Sequence, residues 1–247
     1  RKGREPNQRG LQRLGMREHR LIHTPPSRAI GVQTITKEDD RVDSVGIDFS
    51  LATFDAGARF EEAHPKESAW VLMRGEATIE VAGRTLAVAR QSLFDEPPTA
   101  ISLCAGNAFA VHSTSETEWA VCRTTNSARF DAHVYLPSEL KPEYRGKGLA
   151  QDMCLRNVRL IFDWNARPAS NLVLGEVINY PGRWSSYPPH HHSQPELYHY
   201  RFSEPQGYGH AELGDAVYKV RSHDTIKILG GEDHAQVAAP GYAMYYL

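Results

Sequence analysis

The residues best placed to do chemistry lie in Pro188-Pro189-His190-His191-His192-Ser193-Gln194-Pro195-Glu196-Leu197-Tyr198-His199-Tyr200. His190 and His192 are two positions apart, and Glu196 follows His192 by four. Side chains alternate faces along extended chain, so these three groups share a side and His191 points away. Two imidazoles and one carboxylate suit Zn²⁺, Mn²⁺ or Fe²⁺ and leave positions open for a substrate. A fourth ligand is expected from elsewhere in the chain. His234 is the candidate, because it follows the turn Gly230-Gly231-Glu232-Asp233, which leads back into Gln236-Val237-Ala238, and a residue about 40 positions on can lie across an antiparallel barrel from the first ligands. Pro188-Pro189 stiffens the approach and lowers the entropy cost of holding the ligands. His64 lies in the corresponding region of the first half with only scattered carboxylates around it, so it is expected to be structural and no metal is expected there. His19, His23, His133, His210 and His223 are expected to be ordinary surface or core histidines.

Strands must carry these groups. Val45–Leu51 alternates apolar and polar residues strictly, and Ala77–Val88 reads as a hairpin turning at Ala82-Gly83. Ala69–Met73 is a short apolar run that Arg74-Gly75 is expected to end. Further strands are expected at 101–103, 108–111, 119–123, 158–162, 172–179, 196–202, 216–220, 225–228 and 243–247, with turn signals such as Asp95-Glu96-Pro97-Pro98 between them. No segment sustains a 3.6-residue period. The pattern predicts an all-β protein built as a sandwich or barrel, and the two halves of similar strand content suggest a duplicated barrel. The expected division is a basic leader over 1–15, a first barrel over 16–136, a connection over 137–150 and a metal-bearing barrel over 151–247.

Composition narrows the class. With 40% hydrophobic and 23% charged residues the chain can bury an ordinary globular core. Net charge of −2 gives no basic face for nucleic acid, and no run of apolar residues is long enough to span a membrane. The cysteines Cys104, Cys122 and Cys154 are odd in number and form no CxxC pair, which points to a reducing, cytoplasmic compartment. Arg1, Lys2, Arg4, Arg9 and Arg13 make the start basic; a solvated leader is expected there, with Met16 as the natural start.

Gly182-Arg-Trp-Ser-Ser-Tyr-Pro-Pro-His-His-His192, Glu196-Leu-Tyr-His-Tyr-Arg-Phe202, Pro205-Gln-Gly-Tyr-Gly209 and Val237–Leu247 together resemble the 5-deoxy-glucuronate isomerase family of inositol catabolism. Arg156-Asn-Val-Arg159 is similar to the family's start of the second half, and the first half matches mainly through Trp70–Thr78 and Phe94–Pro98. The resemblance implies a bicupin with two double-stranded β-helix barrels and a divalent metal in the second alone. The implied ligands are His190, His192, Glu196 and His234. The implied reaction converts 5-deoxy-D-glucuronate to 2-deoxy-5-keto-D-gluconate, and related bicupins imply a homo-oligomer. The loop between His192 and Glu196 is shorter than in many members, and Gly-Gly-Glu-Asp precedes His234 where a Pro-Arg-Gly-Tyr type turn is common.

An aldose–ketose isomerisation moves a proton between adjacent carbons. Tyr198 and Tyr200 share the parity of Glu196 and are the candidates for proton transfer or hydroxyl binding, or else aromatic core. Arg183, just before the metal loop, is the candidate fork for the substrate carboxylate. Arg201 has the outward parity and is expected to be structural; Trp184 and Tyr187 either wall the pocket or pack. The competing readings are a 5-keto-4-deoxyuronate ketol-isomerase, an iron-dependent cupin dioxygenase and a non-catalytic sugar-binding module.

Overall fold

The computed structural model describes residues 19–25 and 29–247, and every regular element among them is a strand. The first ten are β1 (Leu21–His23), β2 (Gly31–Thr36), β3 (Asp48–Phe54), β4 (Arg59–Ala63), β5 (Glu67–Val81), β6 (Arg84–Arg90), β7 (Ala100–Leu103), β8 (Ala108–Ser113), β9 (Thr117–Thr124) and β10 (His133–Tyr135). The rest are β11 (Glu143–Arg145), β12 (Arg156–Phe162), β13 (Leu174–Asn179), β14 (Trp184–His190), β15 (Glu196–Phe202), β16 (Tyr208–Leu213), β17 (Ala216–Arg221), β18 (Asp224–Ile228), β19 (His234–Ala238) and β20 (Met244–Tyr246). The expected basic leader at 1–15 lies outside the described residues.

In the first barrel β10-β7-β5-β9-β3-β2 form one wall, and β5 continues into a second wall with β6, β8 and β4. The expected stop at Arg74-Gly75 is instead the corner between these walls. Up to Arg74, β5 pairs with β7 and β9; from Gly75 it pairs with β6 and then also β8. A register shift between Leu72 and Arg74 and a φ of 100° at Gly75 bend the strand without breaking it. The hairpin turn at Ala82-Gly83 stands as expected, with both residues left-handed, the conformation that matches strand twist.

In the second barrel the sheet β1-β18-β15-β20-β13-β12-β11 faces the sheet β14-β19-β16-β17. Two strands depart from the expected division. β1 pairs with β18, so Leu21–His23 belong to the second barrel although they precede the first. β11, inside the expected connection, pairs with β12. Both cover sheet edges that would otherwise present unpaired backbone groups. Charge ties the first-barrel side to the second barrel as well: before β2, Arg20 Nη1 lies 2.6 Å from Glu232 Oε2, and in the loop after β2 Asp40 Oδ2 lies 2.6 Å from Lys227 Nζ.

Three apolar clusters follow from this layering. Trp70, Ile79, Phe109 and Trp119 fill the first barrel. Tyr200, Phe202, Ile226 and Met244 fill the second. A third lies between the barrels, where Phe49, Val71 and Met73 meet Ile161, Phe162, Ile178 and Tyr245. One fully buried ion pair crosses this layer, Arg90 Nη1 to Glu176 Oε1 at 2.7 Å, and Tyr245 Oη donates to the same carboxylate oxygen at 2.6 Å. Arg90 and Arg159 also donate to the carbonyls of Leu93 and Glu96, and Arg159 to that of Phe94, so the Phe94–Pro98 turn is clamped at the barrel junction.

Candidate metal centre

β15 explains how one strand serves two compartments. Its alternation puts Tyr198, Tyr200 and Phe202 into the second barrel, while Leu197 packs against the layer between barrels and the His199 ring sits 5.1 Å from that of Phe49. Glu196 opens the strand on the inner parity, beside the ends of β14 and β19, where His190 pairs directly with His234. The ligand nitrogens of His190, His192 and His234 all lie within 4.8 Å of one another. Glu196 joins them, with Oε1 3.1 Å from His192 Nε2 and Oε2 3.2 Å from His234 Nε2.

Each imidazole is oriented by a backbone carbonyl. Nδ1 of His190 faces Ser186 O at 3.3 Å, Nδ1 of His192 faces Gln194 O at 2.7 Å, and Nδ1 of His234 faces Glu232 O at 3.1 Å. With Nδ1–H donating, the Nε2 lone pairs are left for a cation, the usual arrangement behind metal-binding histidines. His234 Nε2 is buried and makes no hydrogen bond of acceptable geometry. Three imidazole nitrogens and a carboxylate, with one nitrogen buried against that carboxylate, fit a divalent cation of the Zn²⁺, Mn²⁺ or Fe²⁺ type. His191, as its parity predicts, turns outward, where Nδ1 meets Asp233 Oδ1 at 2.7 Å.

Burial works to raise the Glu196 pKa, but His234, the Tyr198 hydroxyl and His192 outweigh it and hold the carboxyl below its ordinary range. Burial works to lower that of His234, yet the Glu196 carboxylate and the Glu232 carbonyl raise it. Each group thus favours the other's charged form when no cation lies between them.

The remaining expected residues separate. Tyr198 reaches the cluster: its hydroxyl donates to Glu196 Oε2 at 2.7 Å, and its ring is 6.2 Å from that of His234. Tyr200 does not; it is fully buried and donates to Gln236 Oε1 at 2.6 Å. Arg183 is also elsewhere. It sits at the far end of β14, where its carbonyl accepts from Ala238 N and its guanidinium is held by Asp152 O. That is four residues along β19 from His234, or about 13 Å. The reason is geometric: nearness in sequence to the metal loop is distance along a strand. Arg201 is structural as expected, paired with Glu118 across the barrel junction. Trp184 and Tyr187 pack on each other with ring centroids 5.6 Å apart. Gln236, Ser185 and Tyr246 are buried in the barrel behind Tyr198 and Tyr200 and gave no signal in the sequence, since amides, hydroxyls and phenols are common in any core.

In the first barrel the counterpart of the β14–β19 pair is β4–β8, which sets Glu62 opposite Phe109 and Ala63 opposite Ala108. Glu62 takes two hydrogen bonds from Arg123 Nη2, at 2.8 and 2.7 Å, and the guanidinium lies over Trp70. An organic cation thus occupies the end of the barrel where the second barrel presents imidazoles. His64 accepts from Lys66 N at 3.1 Å.

The sequence model of the KduI/IolB family matches residues 22–247. The chain belongs to the KduI/IolB family. It is 29% identical over 240 residues to the 5-deoxy-glucuronate isomerase of Geobacillus kaustophilus, covering 90% of this chain and 84% of that protein. It is 27% identical over 248 residues to the 5-deoxy-glucuronate isomerase of Bacillus subtilis, covering 92% and 90%. The crystal structure of an IolB-like protein from Salmonella typhimurium superposes with a TM-score of 0.79 at 24% identity, over 92% of this chain and 90% of that one. An oxalate decarboxylase of Bacillus subtilis superposes at 0.64 with 9% identity, over 92% and 76%, a likeness of fold alone. The expected bicupin architecture therefore stands: two cupin barrels, with the histidine cluster in the second.

Proposed function

We propose that this KduI/IolB chain is a metal-dependent aldose–ketose isomerase that converts 5-deoxy-D-glucuronate to 2-deoxy-5-keto-D-gluconate in inositol catabolism, with His190, His192, Glu196 and His234 as the metal ligands. The observation that carries the reading is the convergence of three carbonyl-oriented imidazoles, two of them in contact with the Glu196 carboxylate, in a chain whose relatives include 5-deoxy-glucuronate isomerases. A bound divalent cation supplies Lewis acidity that makes a C–H beside a carbonyl easier to deprotonate. The chain's own residues do the rest. His190 is exposed, and His192 and Glu196 are about one-third exposed, so a sugar acid reaches the cluster from the loop side. Tyr198 holds a proton at Oη, against Glu196, where it can be given to a substrate oxygen as the carbonyl shifts from one carbon to the next. Tyr200 keeps the wall beneath it in place through Gln236. The proposal includes a cytoplasmic homo-oligomer; the three cysteines are buried free thiols, which suits a reducing compartment.

The test is His192→Ala, with bound metal and turnover of 5-deoxy-glucuronate measured together, and with 5-keto-4-deoxyuronate and oxygen uptake assayed in parallel. The expected outcome is loss of metal and loss of isomerisation, with no oxygen consumed by the wild type. Full metal content and full activity in the variant would sink the assignment.

A further inference from the structure

The path of β14 is unusual between its two contacts with β19. Ser185 pairs with Gln236 and His190 pairs with His234, so five steps on β14 run beside two on β19. The surplus backbone, Ser186 to Pro189, leaves the ladder and returns just in time to deliver His190. Ser185 and Ser186 are buried, Tyr187 onward is exposed, and Ser186 has a φ of 55°, the left-handed region that a serine seldom occupies. This excursion is therefore held at its root. The carbonyl that orients His190 belongs to Ser186 itself. A small rotation there would swing the acceptor and the imidazole together.

What holds the root comes from the other sheet. Tyr246 on β20 is buried, and its hydroxyl lies 2.7 Å from Ser185 Oγ, a hydrogen bond that crosses the barrel. The Tyr246 ring also lies against that of Tyr198, with centroids 4.5 Å apart at 30°, and Tyr198 is the residue that bonds Glu196. One side chain thus backs the supports of two ligands on different strands. Burial pushes the Tyr246 hydroxyl up to about 12, so it stays protonated and serves as a neutral hydrogen-bonding group across the working range.

We propose that Tyr246 is a positioning residue of the metal centre, setting the β14 excursion through Ser185 and so aiming His190, while its ring backs the Tyr198–Glu196 pair. The inference rests on the metal-centre reading above and goes beyond it in assigning the residue that shapes the site. Outer-shell groups of this kind change metal affinity about 10–100-fold when removed.

The experiment titrates metal-free wild type, Tyr246→Phe, Ser185→Ala, the double variant and His192→Ala with Zn²⁺ against a chelating dye. The Co²⁺ visible spectrum and the melting midpoint of each metal-free protein are recorded alongside. Phenylalanine keeps the stack on Tyr198 and removes only the hydroxyl. The expected result is a 10–100-fold weaker affinity and an altered Co²⁺ spectrum in both single variants, with no further loss in the double variant, because both remove one bond. Wild-type affinity and spectrum in Tyr246→Phe overturn the inference even if its melting midpoint falls, since that outcome is a packing role only. Loss in Tyr246→Phe without loss in Ser185→Ala overturns it as well. If wild type and His192→Ala bind metal alike, the metal-centre reading fails instead, and the two failures are told apart in the same titration.

Discussion

Two tyrosines on one strand, two residues apart and of equal parity, have different partners. Tyr198 donates to a carboxylate at the cluster; Tyr200, one step deeper, donates to the amide of Gln236. The difference is depth along β15: Glu196 begins the strand at the barrel mouth, and each two-residue step goes about 7 Å further in. Tyr198→Phe is expected to lower kcat about 10²-fold or more, with little change in KM, because it removes a positioned proton while leaving the ring stack on Tyr246. Steady-state kinetics on 5-deoxy-glucuronate check this, and an unchanged kcat would assign Tyr198 to packing alone.

At the scale of elements, β5 does the most. Its fifteen residues serve both walls of the first barrel, and the corner between them falls at Gly75. A Cβ added there would lie 2.2 Å from Glu116 O and 2.9 Å from Thr117 Cα, and both are backbone atoms that cannot step aside cheaply. Gly75→Ala is therefore expected to destabilise the protein by at least about 2 kcal/mol, from the left-handed backbone and the overlap together. Urea unfolding measures it. A loss below about 0.5 kcal/mol would show that the corner relaxes by another route. The proposed metal ligands lie in the other barrel, so the folded variant is expected to bind metal as the wild type does.

For the molecule as a whole, the junction between the barrels carries buried titratable groups. His199 is fully buried, with Nδ1 on Thr225 Oγ1 and its other nitrogen against Arg201; burial first and Arg201 second push its pKa well below the ordinary value. His223, whose ring is 6.4 Å away, is lowered to about 4 by burial and Arg201, with Glu118 opposing. The unfolded chain therefore binds protons near pH 6.5 that the folded protein refuses until the pH is far lower. Stability is full above about pH 6.5 and is lost as the pH falls towards 4. The loss approaches about 1.4 kcal/mol per pH unit for His199 and less for the half-buried His223. Denaturant unfolding at pH 7, 6 and 5 tests this, and a flat profile over that range would contradict it. His199→Gln is expected to flatten the slope.

Much of the plan is legible in the residues. The common side of His190 and His192 follows from the two-residue period of extended chain, the outward turn of His191 from the same rule, and the Ala82-Gly83 hairpin from the two left-handed positions its turn needs; Glu196 is brought beside them by the bend at Ser193-Gln194 between β14 and β15, which parity does not encode. β15 is bounded by Glu196 and Phe202 in the structure as in the pattern. β4, β14 and β16 are not legible, because charged, proline-bearing or glycine-bearing segments enter strands only when a neighbour supplies the other half of the ladder. Tertiary structure alone decides that β1 joins the second barrel, that Arg183 ends far from the histidines, and that Gln236, Ser185 and Tyr246 stand behind them. Periodicity reports which face of its own strand a side chain occupies. Which strands close around it, and at what depth, depends on pairings between residues far apart in the chain, and no local pattern encodes those.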